Sequence, residues 1–303
     1  MKKIVIIGCG NVGMSYAYSL LNSDLHFDEL VLIDINKEKA EGEALDLLHA
    51  TAALNKKISI KAGEYCDCND ADIVCICAGK NQNVGETRDD LVFKNTQVFS
   101  GIIENINRTK FDGIYLVATN PLDVMTYVTF KLSGFDNSRV IGSGTVLDTA
   151  RLRDIISRKL DINPKNIHAF VLGEHGDFEF IAWSNAFIGL NKADTYFSLN
   201  EKKKILADVR QSAYEIINKK GNTSYGIGVC LKNITKAIFE NSKTVLTVSC
   251  YDKKNDCYVA MPATIGRGGI EKVFDVNLNK QEKLAYEKSI KNIKSVLEKV
   301  DFN

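Results

Sequence analysis

Residues 3–13 read Lys3-Ile4-Val5-Ile6-Ile7-Gly8-Cys9-Gly10-Asn11-Val12-Gly13. A short apolar run leads into three glycines spaced G-x-G-x-x-G, and a helical pattern follows. Such a run suits a strand that never meets water on either face. Gly8 allows the tight turn, Gly10 lets the backbone approach a pyrophosphate, and Gly13 lets helix and strand pack closely. The helix N-terminus, with Val12 in its first turn, attracts phosphate. The spacing alone is weak, because glycine turns are common. Its context strengthens it: Asp34 closes the next strand about 20 residues further on. That carboxylate can accept hydrogen bonds from an adenosine ribose and would repel a 2′-phosphate, so NAD is expected rather than NADP. Lys39 is a further candidate at the adenosine end. The bland alternative is a structural turn followed by a surface Asp.

From this start the first half alternates strand and helix. Strands are expected at Glu29 to Ile33, Ile58 to Lys61, Ile73 to Ala78, Ile114 to Ala118 and Arg139 to Ile141. Helices are expected at Val12 to Asn22, Lys37 to His49, Arg88 to Asn107 and Leu122 to Lys131. This order implies a parallel, doubly wound α/β sheet of the Rossmann type. After Gly144 the rhythm changes. A helix from Leu147 to Leu160 precedes extended stretches at Ile167 to Leu172 and Glu179 to Ala186. Helices follow at Glu201 to Lys219 and Tyr225 to Asn241, then strands at Thr244 to Tyr251 and Asp256 to Met261. A terminal amphipathic helix covers Gln281 to Val300. The second half reads as an α+β domain, with the boundary near residues 141–143: an NAD-binding domain at 1–142 and a catalytic domain at 143–303.

The 303 residues carry a formal net charge of +1, with 45% hydrophobic and 25% charged residues. No broad field points to nucleic acid or a membrane surface. The apolar run before Gly8 is too short for a signal core, and no stretch approaches the ~20 apolar residues of a membrane span. A cytoplasmic protein is expected. Of the eight cysteines, Cys66 and Cys68, like Cys75 and Cys77, are spaced more tightly than the usual zinc knuckle. Asp72 to Ala78 reads as a buried strand in which Cys acts as a small apolar residue. Neither a metal nor disulfides are expected.

Two segments carry chemistry: Gly144-Thr145-Val146-Leu147-Asp148-Thr149-Ala150-Arg151 and Gly173-Glu174-His175-Gly176-Asp177. A His gives or takes a proton near neutral pH. A buried Asp beside it would fix the ring tautomer and stabilise the imidazolium. An Arg one helical turn from that Asp could fork onto a carboxylate. With a hydride carrier, these parts suffice to reduce the keto group of a keto acid. His26 and His49 lack such context and read as structural. Gly79 and Lys80 end the fourth strand, where ligands gather in such sheets. Arg88 could be an ordinary charge at a helix start, and Asn120 could merely end a strand before Pro121. Thr223 could be a helix cap.

Together with Gly79-Lys80-Asn81-Gln82-Asn83-Val84-Gly85-Glu86-Thr87-Arg88 and Ala118-Thr119-Asn120-Pro121-Leu122-Asp123, these motifs make the chain resemble the L-lactate/malate dehydrogenase family, most of all its bacterial lactate-reactive members. The resemblance runs from about Lys3 to Val300. It implies that His175 donates the proton when pyruvate is reduced, that Asp148 is its partner, and that Arg151 clamps the carboxylate. Arg88 would close over the site on a loop and polarise the carbonyl. Asn120 would hydrogen-bond the substrate oxygen and help orient the nicotinamide. Asp123 and Thr223 would line the substrate pocket. Ala118 and Ser143 would contact the coenzyme. Lys80 would lie on the coenzyme side. A homotetramer is also implied. Tyr225 and Gly226 depart from the family pattern and would loosen packing behind Thr223. Ile227 would pack on the nicotinamide.

Gln82 decides between substrates. The family's malate enzymes usually carry an Arg there for a second carboxylate. A carboxylate enclosed without a counter-charge costs several kcal/mol. Pyruvate is therefore expected, with oxaloacetate or a broader 2-keto acid range as the rival. A non-catalytic NAD-binding redox sensor would have no need of Asp148, Arg151, His175 and Arg88 together. A glycine-loop methyltransferase would leave the second half unexplained. Finally, Arg153 and His168 match positions that bind fructose 1,6-bisphosphate across a subunit interface in bacterial relatives, a pair also present in members that ignore that effector.

Overall fold

A computed structural model of the chain describes residues 1–80 and 88–300, the first three of the second stretch by backbone only. The first half is β1 (Lys3–Ile7), α1 (Asn11–Leu21), β2 (Glu29–Ile33), α2 (Lys37–Ala53), β3 (Ser59–Ala62), β4 (Ile73–Ile76), α3 (Arg88–Asn107), β5 (Ile114–Val117), α4 (Leu122–Ser133) and β6 (Val140–Gly142). Its strands lie parallel in the order β3-β2-β1-β4-β5-β6. Every residue of β1, β2, β4 and β5 is buried. Two apolar layers cover the faces, one around Ile6, Tyr16, Leu30 and Leu116, the other around Val5, Phe99, Val117 and Met125. Side chains alternate across a strand, so unbroken apolar runs feed both layers at once. Lys3 is the exception within β1. Its buried ammonium is held by Asp70 at 2.7 Å and Glu29 at 3.5 Å.

The second half adds α5 (Val146–Leu160), β7 (Ile167–His168), β8 (Val171–Leu172), β9 (Phe180–Ile181), β10 (Phe187–Ile188), β11 (Asn191–Lys192), α6 (Leu199–Lys220), α7 (Tyr225–Phe239), β12 (Thr244–Asp252), β13 (Cys257–Gly266), β14 (Gly269–Val273) and α8 (Lys280–Leu297). β12, β13 and β14 extend the first sheet past β6, antiparallel, to nine strands. The doubly wound sheet and the α/β second half match the fold class read from the sequence. α7 crosses α1 closely. A Cβ on Gly228 would lie 2.6 Å from the Ser15 backbone, and Tyr16 shares a buried hydroxyl contact with Thr235.

Three stretches depart from expectation. Ile167 to Leu172 is not one extended segment but two short strands in different sheets, β7 with β10 and β8 with β9. Glu179 to Ala186 turns into a single helical turn at Trp183–Asn185. β14 is an additional edge strand, beyond the Met261 at which the last strand was expected to end; β13 itself runs on through Pro262. Gly226 does not loosen its surroundings: Leu147 Cδ1 already stands 2.8 Å from where its Cβ would be. Cys75 and Cys77 sit with their Sγ atoms 3.6 Å apart, Cys75 fully buried and Cys77 half-buried. Cys66 and Cys68 lie in a helical turn over Tyr65–Cys68. Among the described residues no helix is long and apolar enough to cross a membrane.

Candidate active site

The glycine loop joins β1 to α1 at the carboxyl edge of the parallel strands. Gly8 has φ +104°, and a Cβ there would stand 2.5 Å from the Ala78 nitrogen. A Cβ on Gly13 would lie 2.1 Å from the Gly8 carbonyl oxygen. At Gly10, by contrast, nothing lies within 4 Å. The loop is thus closed on its protein side and open at the one glycine a phosphate must approach. Gly10 is also the N-cap of α1 and offers no side-chain cap, with no acidic residue in the first turn. The first amides of α1 remain available to an anion. Asp34, just after β2, accepts the Cys9 amide through Oδ2 at 2.7 Å and the Asn36 amide through Oδ1 at 2.9 Å. The same carboxylate therefore anchors the loop and keeps lone pairs for a ribose, since an ionised carboxylate has about four acceptor sites. Val12 is half-buried and Lys39 exposed. These features fit a dinucleotide.

The next two strand ends are stapled by a residue that pattern reading missed. Asn95 of α3 is fully buried. Its Oδ1 accepts the Lys80 amide at 2.7 Å, and its Nδ2 donates to the Asn120 carbonyl at 2.8 Å. Thr119 Oγ1 adds a bond to the Ala78 carbonyl at 2.7 Å, and Gly79 leaves no room for a Cβ beside Thr119. Gly79, Lys80, Ala118 and Asn120 are thereby held together along one edge, with Lys80 and Asn120 exposed. The detectable signal was a lone amide on the apolar face of α3. Ser143, after β6, is buried, and its amide donates to the Val117 carbonyl at 2.9 Å.

α5 and the loop between β8 and β9 bring the proton-transfer group together. His175 Nδ1 lies 2.7 Å from Asp148 Oδ2, and Arg151 Nη1 donates to Asp148 Oδ1 at 2.8 Å. Both oxygens of one buried carboxylate are used, one to orient the imidazole and the other the guanidinium. Asp148 accepts the hydrogen bond from Nδ1–H, which leaves Nε2 as the working nitrogen. Burial pushes the His175 pKa down, but Asp148 beside it, with Glu179 and Asp123 further off, more than reverses this and raises it to about 9. Burial alone would raise Asp148; His175 and Arg151 instead hold it below the usual carboxylate range.

Asp123, in the first turn of α4, braces the loop that carries His175. It is 2% exposed. Its Oδ2 accepts the His175 amide at 2.8 Å and its Oδ1 accepts the Ser249 hydroxyl at 2.5 Å. Both of its oxygens are thus engaged behind His175. Gly173, φ +93°, seats the other end of the loop: it exchanges hydrogen bonds of 3.0 Å with Ala260 of β13 and abuts Ser289 of α8. Thr223 is half-buried in the turn before α7, where the N-cap is Ser224, so Thr223 does not cap that helix. Arg153 stacks 5.0 Å above the Phe170 ring and donates to the Ala169 carbonyl at 3.3 Å. His168 is exposed on β7 next to that carbonyl. Gln82 lies outside the described residues. Arg88 opens α3, and its side chain is likewise outside the description. Glu179, beside His175, and Arg210, which bonds to the Glu179 main chain, were not anticipated.

Comparison with known proteins gives a consistent result. Residues 2–142 match the family model described as lactate/malate dehydrogenase, NAD binding domain, and residues 145–302 match lactate/malate dehydrogenase, alpha/beta C-terminal domain. The chain is 47% identical to L-lactate dehydrogenase 2 of Bacillus cereus, across 98% of each chain. It is 46% identical to L-lactate dehydrogenase of a Geobacillus species, across 98% of this chain and 96% of that one. The minor L-lactate dehydrogenase of Enterococcus mundtii in its ligands-bound form superposes with a TM-score of 0.96 at 41% identity, over 100% of this chain and 99% of that one.

Proposed function

This chain belongs to the lactate/malate dehydrogenase family, and from that premise we propose that it reduces pyruvate to L-lactate with NADH, and reverses the reaction with NAD. The observation that carries this reading is Asp148 held at once by His175 and Arg151. When bound, NADH supplies the hydride to the keto carbon. Arg151 receives the substrate carboxylate with its guanidinium, which Asp148 aims. His175 gives the Nε2 proton to the keto oxygen as negative charge develops there. Asp148 keeps the imidazolium stable before transfer, and in the reverse direction His175 Nε2 takes the hydroxyl proton back while Asp148 again supports the charged ring. Asn120 donates to the same oxygen, and Arg88 joins it from the start of α3. Residues 1–142 hold the coenzyme and lend Gln82, Arg88 and Asn120 to the substrate site, while residues 143–303 supply Asp148, Arg151 and His175.

Gln82 brings no positive charge for a second carboxylate, which favours pyruvate over oxaloacetate. His175→Asn separates binding from chemistry: NADH should still bind, measured by nucleotide fluorescence, while pyruvate turnover disappears. Full turnover by that variant would reject the assigned proton donor. A homotetramer is supported by exposed apolar side chains on α1, α2 and α7, among them Tyr18, Leu45, Leu48 and Val229, which fit burial between subunits. Light scattering tests it. Free cysteines fit a reducing, cytoplasmic setting. Arg153 and His168 are the residues for a sugar bisphosphate effector; a titration that leaves the pyruvate KM unchanged in the tetramer would dismiss that role.

A further inference from the structure

Glu179 stands just before β9, in the loop that carries His175, and is 2% exposed. Its Oε1 is buried without a hydrogen-bond partner among the described residues, and so is Nε of Arg210 on α6. Arg210 donates instead to the main-chain carbonyl of Glu179. Proton-binding atoms of Glu179, Asp148 and His175 all lie within 4.8 Å of one another. A buried carboxylate left unpaired is costly, so its place beside the proton donor does not serve stability. The charged groups facing it are Asp148 and Arg151 from α5, Arg210 from α6, and His175 from its own loop. Burial first, and the charge of Asp148 second, push the Glu179 carboxyl up to about 8 against the pull of His175 and the two arginines.

We propose that Glu179 is a positioning residue for proton transfer: neutral while the keto acid binds, and on ionising an added anion that keeps the proton on His175. This rests on His175 being the proton donor of the reaction proposed above. As a neutral acid, Glu179 leaves the attraction of Arg151 for a substrate carboxylate undiminished. In mildly alkaline solution it releases its proton to solvent. Its new charge then faces the imidazolium as that group approaches its own loss of a proton. The two groups titrate as a coupled pair rather than independently.

The test is an NMR titration of the His175 ring in the whole protein. The chain has four histidines, and His26, His49 and His168 are exposed, so the half-buried ring beside Asp148 is separable. Glu179→Gln should lower the His175 midpoint by roughly one pH unit or more, the size of an opposite charge a few ångströms away. The alkaline limb of kcat/KM for pyruvate should move by the same amount. Glu179→Asp, which keeps a carboxyl, should recover most of the shift. An unchanged His175 midpoint in Glu179→Gln overturns the proposal. Should the variants not fold, carboxyl-labelled glutamate in the parent protein decides: one glutamate still neutral at pH 7 supports it, and all glutamates ionised by pH 6 overturns it. A parent enzyme unable to turn over any 2-keto acid would strike the proposed reaction instead, and the His175 midpoint would still report on Glu179.

Discussion

Asp148→Asn removes the one charge that both orients His175 and keeps it protonated. In the parent protein burial lowers the imidazole pKa and Asp148 overrides it, to about 9. Without the carboxylate, burial is opposed only by the more distant Glu179 and Asp123, and the value should fall to about the ordinary 6.5. A fall of about 2.5 units corresponds to about 3 kcal/mol of support for the imidazolium. Near pH 7 the donor would pass from almost wholly protonated to largely neutral. The Asn side chain would also cease to fix the Nδ1–H tautomer. Together these effects should cut kcat/KM for pyruvate by roughly 100- to 1000-fold. The pH above which reduction fails should retreat from about 9 to the acid side of neutrality. Stopped-flow NADH oxidation across pH 5.5–10 measures both, and fluorescence titration should find NADH affinity nearly unchanged. A pH profile for Asp148→Asn that superimposes on the parent would refute the link between Asp148 and the charge of His175.

Other outcomes follow from the same geometry. Gly13→Ala places a methyl 2.1 Å from the Gly8 carbonyl; NADH binding measured by fluorescence should be lost, and Tm should fall. Asn95→Ala leaves the Lys80 amide and Asn120 carbonyl without their partner, which should cost about 2 kcal/mol in denaturant unfolding and raise the NADH Kd. Stability should depend on pH in a defined direction. His175 has a folded pKa raised to about 9, so its contribution is complete below about 6.5 and is lost as pH rises through 9. Glu179, raised from 4.5 to about 8, acts in the same sense over pH 4.5–8. Tm should therefore decline from pH 5 to pH 9, and less steeply in Glu179→Gln. Gln82→Arg should raise kcat/KM for oxaloacetate by tens- to hundreds-fold, since a counter-charge in a closed site is worth several kcal/mol.

The parallel half was legible because most of its strands are short and largely apolar and its helices carry a polar face. Glycines and Asp34 punctuate them where a nucleotide needs them. The edge strand β14 was not legible. It pairs on one side only, and Glu271, Lys272 and Val273 face solvent, so it lacks a strand's apolar signal. Strands of two residues, such as β7 and β8, are too short to show a period of two. At the site, His175, Asp148 and Arg151 stood out because each supplies a charge or proton with a recognisable purpose. Asp123 was placed by motif, and only the fold shows that its oxygens turn inward to the His175 amide and Ser249. Asn95, Glu179 and Arg210 act through tertiary contacts that join distant parts of the chain, and a linear reading has no term for these.

The most direct test is the structure of the complex with NADH and oxamate, an unreactive mimic of pyruvate. Oxamate should lie with its carboxylate on Arg151 and its carbonyl oxygen in hydrogen-bond reach of His175 Nε2, with Asp148 still joining the two residues from behind. Oxamate bound with its carboxylate on another cation, or with His175 turned away from Asp148, would contradict the mechanism.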